Sequence, residues 1–312
     1  MLEVNNLSVA YNGKPAVEDV SFRVENGETV SIVGESGSGK STVLRAIQGL
    51  LGREGSVTAG DILFDGASLP SLKPEQLRSL RGAVIATVPQ QAGLSMDPIT
   101  KIGRQFHEAL STKQKISRTE SDRRAAECMR TLSIKDPEQI LRSYPVMLSG
   151  GTNQRVALAM ARVMEPRLIL ADEPTSALDV TVQVEVVRSM LELRQACDAA
   201  ILMVTHNMGV VAQMSDHVGV MYNGQLLEWG TRDEILASPR HPYTRALMAS
   251  VLKMDGTVPA VKTIYREGTP GGCVYYARCP HACEACRQKP EERTIGGHMV
   301  KCCRAEEEIK NG

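Results

Sequence analysis

Apolar and polar positions along the chain switch repeatedly between a period of two and a period near 3.6, the patterns of strands and amphipathic helices. Val20, Phe22 and Val24 alternate with polar neighbours, and the pair Asn12-Gly13 is a turn signal, so residues 1–33 predict antiparallel strands. Thr29 to Val33 reads as a buried strand and Ser41 to Leu50 as a helix. Gly60 to Gly66 reads as a short strand bounded by glycines. Residues 72–165 read mostly as helix, with Ser117 and Glu120 predicting a capping box for a helix that reaches about Leu132. Pro137, Pro145 and Pro166 punctuate that region. Arg167 to Asp172 is a buried strand ending in acid. Asp179 caps a predicted helix through about Gln195, with Val184, Val187 and Leu191 on one face. Ala199 to Thr205 is a further apolar strand. Val218 to Trp229 predicts a hairpin at Asn223-Gly224, a pair that accepts the positive φ angles of a tight turn. Strands alternating with helices give an α/β fold with a mostly parallel sheet. Near Gly256 the composition shifts toward Gly, Pro, Cys and charge, which divides the chain into residues 1–255 and 256–312.

Composition narrows the function classes. The 312 residues carry 36 basic and 36 acidic side chains, so no charge excess suggests a nucleic-acid binder. The opening Met1-Leu2-Glu3-Val4-Asn5-Asn6 has neither a basic start nor an apolar stretch, so no signal peptide is expected. No apolar run approaches the ~20 residues that span a bilayer, and the C-terminus carries no lipidation motif. The expectation is a cytoplasmic protein that reaches a membrane only through partners. Cys128 and Cys197 stand alone, while Cys273, Cys279, Cys283, Cys286, Cys302 and Cys303 crowd together near the end. A clustered set in a reducing compartment reads as metal-binding before it reads as disulfides. Cys128 shares a helix face with Ala125, Met129 and Leu132 and reads as a small core residue.

The strongest chemical signal is Gly34-Glu35-Ser36-Gly37-Ser38-Gly39-Lys40-Ser41-Thr42, which fits G-x-x-x-x-G-K-[ST] between a predicted strand and a predicted helix. The glycines let backbone N–H groups turn inward around phosphates, and the helix aims its positive end at the same anion. Lys40 can reach the β- and γ-phosphates, and the Ser41 hydroxyl can ligate Mg²⁺. Asp172 ends a buried strand, as suits a carboxylate holding Mg²⁺ through water. Glu173 follows and can act as general base on the attacking water. Leu148-Ser149-Gly150-Gly151-Thr152 opens another helix and forms a second anion site. A second site in one chain makes sense if it closes over a nucleotide held by another subunit.

With these residues the sequence resembles the ATP-binding-cassette (ABC) ATPases over roughly residues 2–250. Ser149, Gly150 and Gly151 look like the signature loop of that family, with Thr152 where Gln is common. Gln90 resembles the glutamine that senses the γ-phosphate, ligates Mg²⁺ and contacts the membrane subunits, although Pro89 and Gln91 are less usual neighbours. Ser176-Ala177-Leu178-Asp179 resembles the loop that crosses the dimer. His206 resembles the switch histidine at the γ-phosphate, and Tyr11 the aromatic that stacks on adenine. The resemblance implies an ABC-type P-loop core, a mixed sheet with an antiparallel β subdomain and a helical subdomain over roughly residues 90–165, followed by a small Cys-rich extension. It implies ATP and Mg²⁺ bound by residues 34–42, Tyr11, Gln90 and Asp172, with Lys40, Gln90, Glu173 and His206 catalytic.

His241-Pro242-Tyr243-Thr244-Arg245-Ala246-Leu247 resembles a segment of the oligopeptide, dipeptide and nickel importer ATPases. So does the run through Gly272-Cys273, Arg278-Cys279-Pro280, Cys286-Arg287, Gly297-His298 and Cys302. The resemblance implies a [4Fe–4S] cluster on Cys273, Cys279, Cys286 and Cys302, with a structural or redox-sensing role. Zinc stays open, because Cys283 and Cys286 form a C-x-x-C pair, and so do unliganded thiols. The implied partners are a second ATPase chain, related but not identical, two permease subunits, and an extracytoplasmic solute-binding protein. The chain would then sit at the cytoplasmic face of the membrane. The rival reading is a non-transport mechanical cassette ATPase.

Overall fold

The computed structural model describes residues 1–176, 178–250, 268 and 271–305. Strands β1 (Leu2–Tyr11), β2 (Lys14–Val24) and β3 (Thr29–Val33) lead into helix α1 (Lys40–Gln48). Next come β4 (Gly55–Phe64), the two-residue β5 (Ala67–Ser68), α2 (Pro74–Leu80) and β6 (Ile85–Val88). Five helices follow: α3 (Ala92–Ser95), α4 (Ile102–Lys113), α5 (Arg118–Thr131), α6 (Pro137–Arg142) and α7 (Gly150–Val163). The order continues with β7 (Leu168–Asp172), α8 (Val180–Cys197), β8 (Ala200–Thr205), α9 (Met208–Met214), β9 (His217–Tyr222) and β10 (Gln225–Thr231). Helices α10 (Arg232–Ala237) and α11 (Pro242–Ala249) precede the tail strands β11 (Arg293–Ile295) and β12 (His298–Val300). Among the described residues no helix is long and apolar enough to cross a membrane. The chain forms two compact units.

The first unit holds residues 1–2, 24–29 and 64–204. Its strands β6, β7 and β8 pair in parallel, with Ile85 opposite Leu168 and Leu168 opposite Ala200. Strand β6 departs from the mostly helical expectation for residues 72–165. Its four residues are too short for either periodicity to register. On α5, Ser117 caps the first turn by accepting from the Glu120 N–H at 3.2 Å. The reciprocal half of the predicted box is replaced by ion pairs. Glu120 binds Arg123 and Arg124, which pull its carboxyl down to about 2. Ala125, Met129 and Leu132 are fully buried as expected, and burial pushes the Cys128 thiol up to about 11. Helix α8 begins at the Asp179 cap but buries Val186, Val187, Met190 and Leu193. Of the residues expected on one face, Val187 is buried and Val184 is exposed.

The second unit holds residues 3–23, 30–63 and 205–312. One sheet runs β2-β1-β4, joined at the expected Asn12-Gly13 turn. The other carries β11-β12-β10-β9-β3 in order. Strand β3 lies parallel to β9, and β9 and β10 form the predicted antiparallel hairpin with Asn223 and Gly224 both at positive φ. The tail extends this sheet, with β12 antiparallel to β10 and Glu228 opposite Val300. Residues 271–305 thus fold in the same unit as residues 34–42. The expected boundary near Gly256 lies outside the described residues.

Candidate functional site

The phosphate loop leaves the buried strand β3 and ends at α1, as the sequence predicts. Among the described residues no side chain caps α1; Gly39 stands at its N-cap with φ 99°. A Cβ at Gly39 would lie 2.8 Å from the Ala16 carbonyl oxygen, so only glycine fits that backbone and that approach. Lys40, 5 % exposed, curls over the loop and donates from Nζ to the carbonyls of Gly34 and Glu35, each at 2.8 Å. Its charge is held at the centre of the curl. Ser36 and Gly37 lie open to solvent, Ser38 is buried, and Ser41 and Thr42 are half-buried on the first turn of α1. The Gly224 N–H donates to the Ser38 carbonyl at 3.0 Å, tying the β9–β10 hairpin to the loop.

In the first unit, Asp172 ends β7 and Glu173 follows it in the left-handed region, φ 44°. A non-glycine residue held there stores strain, a frequent mark of functional positions. The Glu173 N–H donates to the Val204 carbonyl at 2.8 Å, which fixes its backbone across the β7–β8 pair. Gln90, after β6, donates from Nε2 to Glu173 Oε2 at 3.1 Å. The loop carrying Gln90 is itself held by Gln154, a residue not singled out from the sequence. Gln154 is 2 % exposed and donates from Nε2 to the Pro89 carbonyl at 3.0 Å. Its signal was present in its place on the helix that the signature loop opens.

Ser149 is the N-cap of α7, accepting from the Thr152 N–H at 3.2 Å, and the Ser149 and Thr152 hydroxyls lie 2.9 Å apart. Gly150 is exposed. Gly151 is buried against Val182, whose Cγ1 lies 2.3 Å from where a Cβ would stand. In the loop Ser176-Ala177-Leu178-Asp179, Ala177 lies outside the described residues. Tyr11 ends β1, half-buried, with its hydroxyl buried and without a hydrogen-bond partner among the described residues. His206 is exposed directly after the buried Thr205.

In the tail, Cys273, Cys279, Cys286 and Cys302, together with Cys303, line one small cavity of about 10 Å³, the room of one water. The tightest sulfur group is a different one. Cys283, Cys286 and Cys303 lie with sulfurs 3.6, 3.8 and 3.0 Å apart. A short 3₁₀ turn over Glu284–Arg287 brings Cys283 and Cys286 together. Cys303 closes the trio from beyond β12, a juxtaposition that sequence spacing does not reveal. Burial pushes Cys279 up to about 11 and raises Cys273. The tail motif Gly297-His298 also has a structural partner. His298 Nε2 meets the fully buried Glu228 carboxylate of β10 at 2.7 Å. Glu228 also accepts from the backbone N–H groups of Arg240 and His241, at 2.6 and 3.0 Å. Burial opposes charge on Glu228, but these bonds outweigh it and lower its pKa.

A phosphate loop, an acidic strand end and a glycine-rich helix start now stand on the elements the sequence assigned to them. The ABC transporter family pattern matches residues 17–176, about half the chain. The chain belongs to the ABC transporter family. The pattern of the oligopeptide/dipeptide transporter C-terminal region matches residues 227–286. The dipeptide transport ATP-binding protein DppD of Haemophilus influenzae is 38% identical over 97% of this chain and 94% of its own. The oligopeptide transport ATP-binding protein AppD of Bacillus subtilis is 38% identical over 99% of this chain and 98% of its own. The metal-staphylopine import system ATP-binding protein CntD of Staphylococcus aureus is 41% identical over 82% of this chain and 94% of its own. Among solved structures, a dimeric ATP-binding cassette in a post-hydrolysis state with ADP and Pi superposes with a TM-score of 0.66 at 28% identity, over 74% of this chain and 99% of its own. The cbiO1 protein of Clostridium perfringens gives 0.66 at 26% identity, over 76% and 90%. The fold is that of an ABC ATPase, and the chain is an ATP-hydrolysing subunit of a transporter, not a mechanical cassette outside transport.

Proposed function

We propose that this chain powers an importer for short peptides, with nickel or a metal chelate as the second substrate class. The observation that carries the reading is the peptide-transporter C-terminal region at residues 227–286, joined to relatives named for dipeptide, oligopeptide and metal-staphylopine transport. The partners are two permease subunits, a related but non-identical ATPase and an extracytoplasmic solute-binding protein, with this chain at the cytoplasmic membrane face. Leu94 and Ile99, 82 % and 83 % exposed in the segment after Gln90, support a permease contact there. Residues 1–255 form the ATPase portion, with a helical part over roughly 90–165, and residues 256–312 the Cys-rich extension.

In this reading residues 34–42 wrap the ATP phosphates, Tyr11 stacks on adenine, and Lys40 compensates negative charge as the terminal phosphate departs. Glu173 takes the proton of the attacking water, oriented by its bond from Gln90. His206 contacts the γ-phosphate. Ser149, Gly150 and Gly151 complete the site of the partner ATPase. Ser41, Gln90 and Asp172 offer oxygen donors, the set magnesium prefers. When bound, magnesium neutralises charge on the β- and γ-phosphates.

Five thiols line one space, Cys273, Cys279, Cys286, Cys302 and Cys303, and the four of them that the resemblance selects, Cys273, Cys279, Cys286 and Cys302, match the donor complement of a [4Fe–4S] cluster. When bound, it would pin the loops that carry these thiols, and no step of hydrolysis runs through it. The Cys283, Cys286 and Cys303 spacing favours a second reading, zinc, since tetrahedral Zn–S bonds place sulfurs about 3.8 Å apart.

The deciding experiment is ATP-driven uptake into vesicles holding the chain with its permeases, its partner ATPase and the binding protein. Labelled dipeptide, nickel and a metal chelate are offered in parallel. Uptake of dipeptide is expected. Uptake of none of the three, with ATP turnover indifferent to the binding protein, would overturn the reading.

A further inference from the structure

Glu35, the second residue of the phosphate loop, is gripped from the tail and from α11. Arg278 donates from Nη1 to Glu35 Oε2 at 2.8 Å and from Nη2 to Oε1 at 3.0 Å, a two-pronged ion pair. The same guanidinium lies 5.7 Å from the Tyr222 ring centroid, a cation–π contact. The Glu35 N–H donates to the Tyr243 hydroxyl at 2.9 Å, and Lys40 holds its carbonyl. N–H, C=O and carboxylate of one loop residue are therefore all engaged.

The grip is anchored in a core. Tyr243 is 2 % exposed, and its ring packs on Tyr222 and Tyr275 at centroid distances of 4.7 and 5.3 Å. Tyr275 and Cys279 share that core, and Arg278 stands between them in the chain. Two motifs without a role in hydrolysis, the His241-Pro242-Tyr243-Thr244 segment and Arg278-Cys279-Pro280, thus converge on one residue of the phosphate loop.

Two physical consequences follow. A loop already held in its curl loses less conformational freedom when phosphates bind. A carboxylate beside an anion site repels the ligand, and a paired guanidinium removes that repulsion. We propose that Arg278 and Tyr243 are positioning residues of the nucleotide site, through which the folded Cys-rich segment sets the affinity of the phosphate loop for ATP. The proposal rests on residues 34–42 being that loop.

The test is the dissociation constant of magnesium-ATP for the full chain, measured by calorimetric titration. Arg278→Ala and Arg278→Gln are expected to weaken binding about five- to tenfold, the scale of one lost charge-assisted pair. Arg278→Lys keeps the charge without the fork and should lose less. Adding Glu35→Gln to Arg278→Ala should restore most of the lost affinity, because the unpaired carboxylate is gone. A merely structural arginine would show no such rescue. Arg287→Ala, a tail arginine whose ion pair among the described residues is with Glu284, should bind as wild type. Affinity within twofold of wild type in Arg278→Gln, or no rescue in the double variant, would overturn the proposal. Lys40→Ala separates the two readings. If it too binds ATP normally, the assignment of the phosphate loop fails and the proposal falls with it.

Discussion

Gln90 and Glu173, 83 positions apart, meet through a 3.1 Å hydrogen bond from the glutamine amide to the carboxylate. The bond uses the glutamine Nε2 and one carboxylate oxygen, and the glutamine Oε1 is an acceptor that can bind a cation. Replacing Glu173 with Gln keeps the shape and removes the proposed base. The Glu173→Gln complex should bind ATP and hydrolyse it about a hundredfold or more slowly. Phosphate release from the assembled transporter checks this. Turnover within a few-fold of wild type would remove Glu173 from the proposed role.

Gly150 and Gly151 should separate under mutation. Gly151→Ala forces a methyl to 2.3 Å from Val182 Cγ1, a stiff β-branched neighbour on the first turn of α8. It should cost about 1–3 kcal/mol in stability. Gly150→Ala meets nothing nearer among the described residues than Leu178 Cδ2 at 3.7 Å, so it should fold normally. If Gly150 faces the partner chain's nucleotide, ATP turnover of the complex should still fall. Melting curves beside turnover measure both, and full activity in folded Gly150→Ala would count against the shared site.

What was legible in the sequence was local. The phosphate loop, the acid at the end of β7 and the cap at Asp179 each lie within a few residues of the pattern that announces them. The family resemblance then ordered these motifs. Valines stand at several helical phases of α8, and packing buries Val186 and Val187 while leaving Val184 exposed. Strand β6 was lost for its brevity. Contacts that cross the chain left no signal. Arg278 and Glu35 are 243 positions apart, and Glu228 sat in a stretch read simply as a hairpin. Cys283 and Cys303 fell outside the family pattern, yet the structure sets both against Cys286.

That sharing of Cys286 makes the metal question testable by substitution. Anaerobic purification should give iron and acid-labile sulfide in equal amounts if the wider set of thiols holds a cluster. Cys279→Ser and Cys302→Ser should then remove both, while Cys283→Ser and Cys303→Ser retain them. Stoichiometric zinc lost in Cys283→Ser and Cys303→Ser, but kept in Cys279→Ser, would assign the trio instead. Cys286→Ser should abolish binding in either case, and elemental analysis that finds it unaffected would exclude both sets.

The tail and α11 also predict how stability responds to acid. His241 is 1 % exposed and caps α11, accepting at Nδ1 from the Tyr243 N–H at 3.0 Å. Burial pushes its pKa from 6.5 down to about 4, and the nearby Glu228 opposes that only in part. Between those values the unfolded chain takes up a proton that the folded chain refuses. The stability His241 contributes is therefore complete above pH 6.5 and is lost as pH falls toward about 4, a total of about 3 kcal/mol. Glu228, lowered below the ordinary 4.5 by His298 and two backbone N–H groups against the cost of burial, adds a loss in the same direction at still lower pH. Asn caps helices well and does not titrate. His241→Asn should hence keep the Tyr243 bond and flatten the pH dependence between 6.5 and 4 by one proton, about 1.4 kcal/mol per pH unit. Urea unfolding of the full chain across that range measures both slopes. Equal slopes in wild type and His241→Asn would show that the imidazole is not the group being charged.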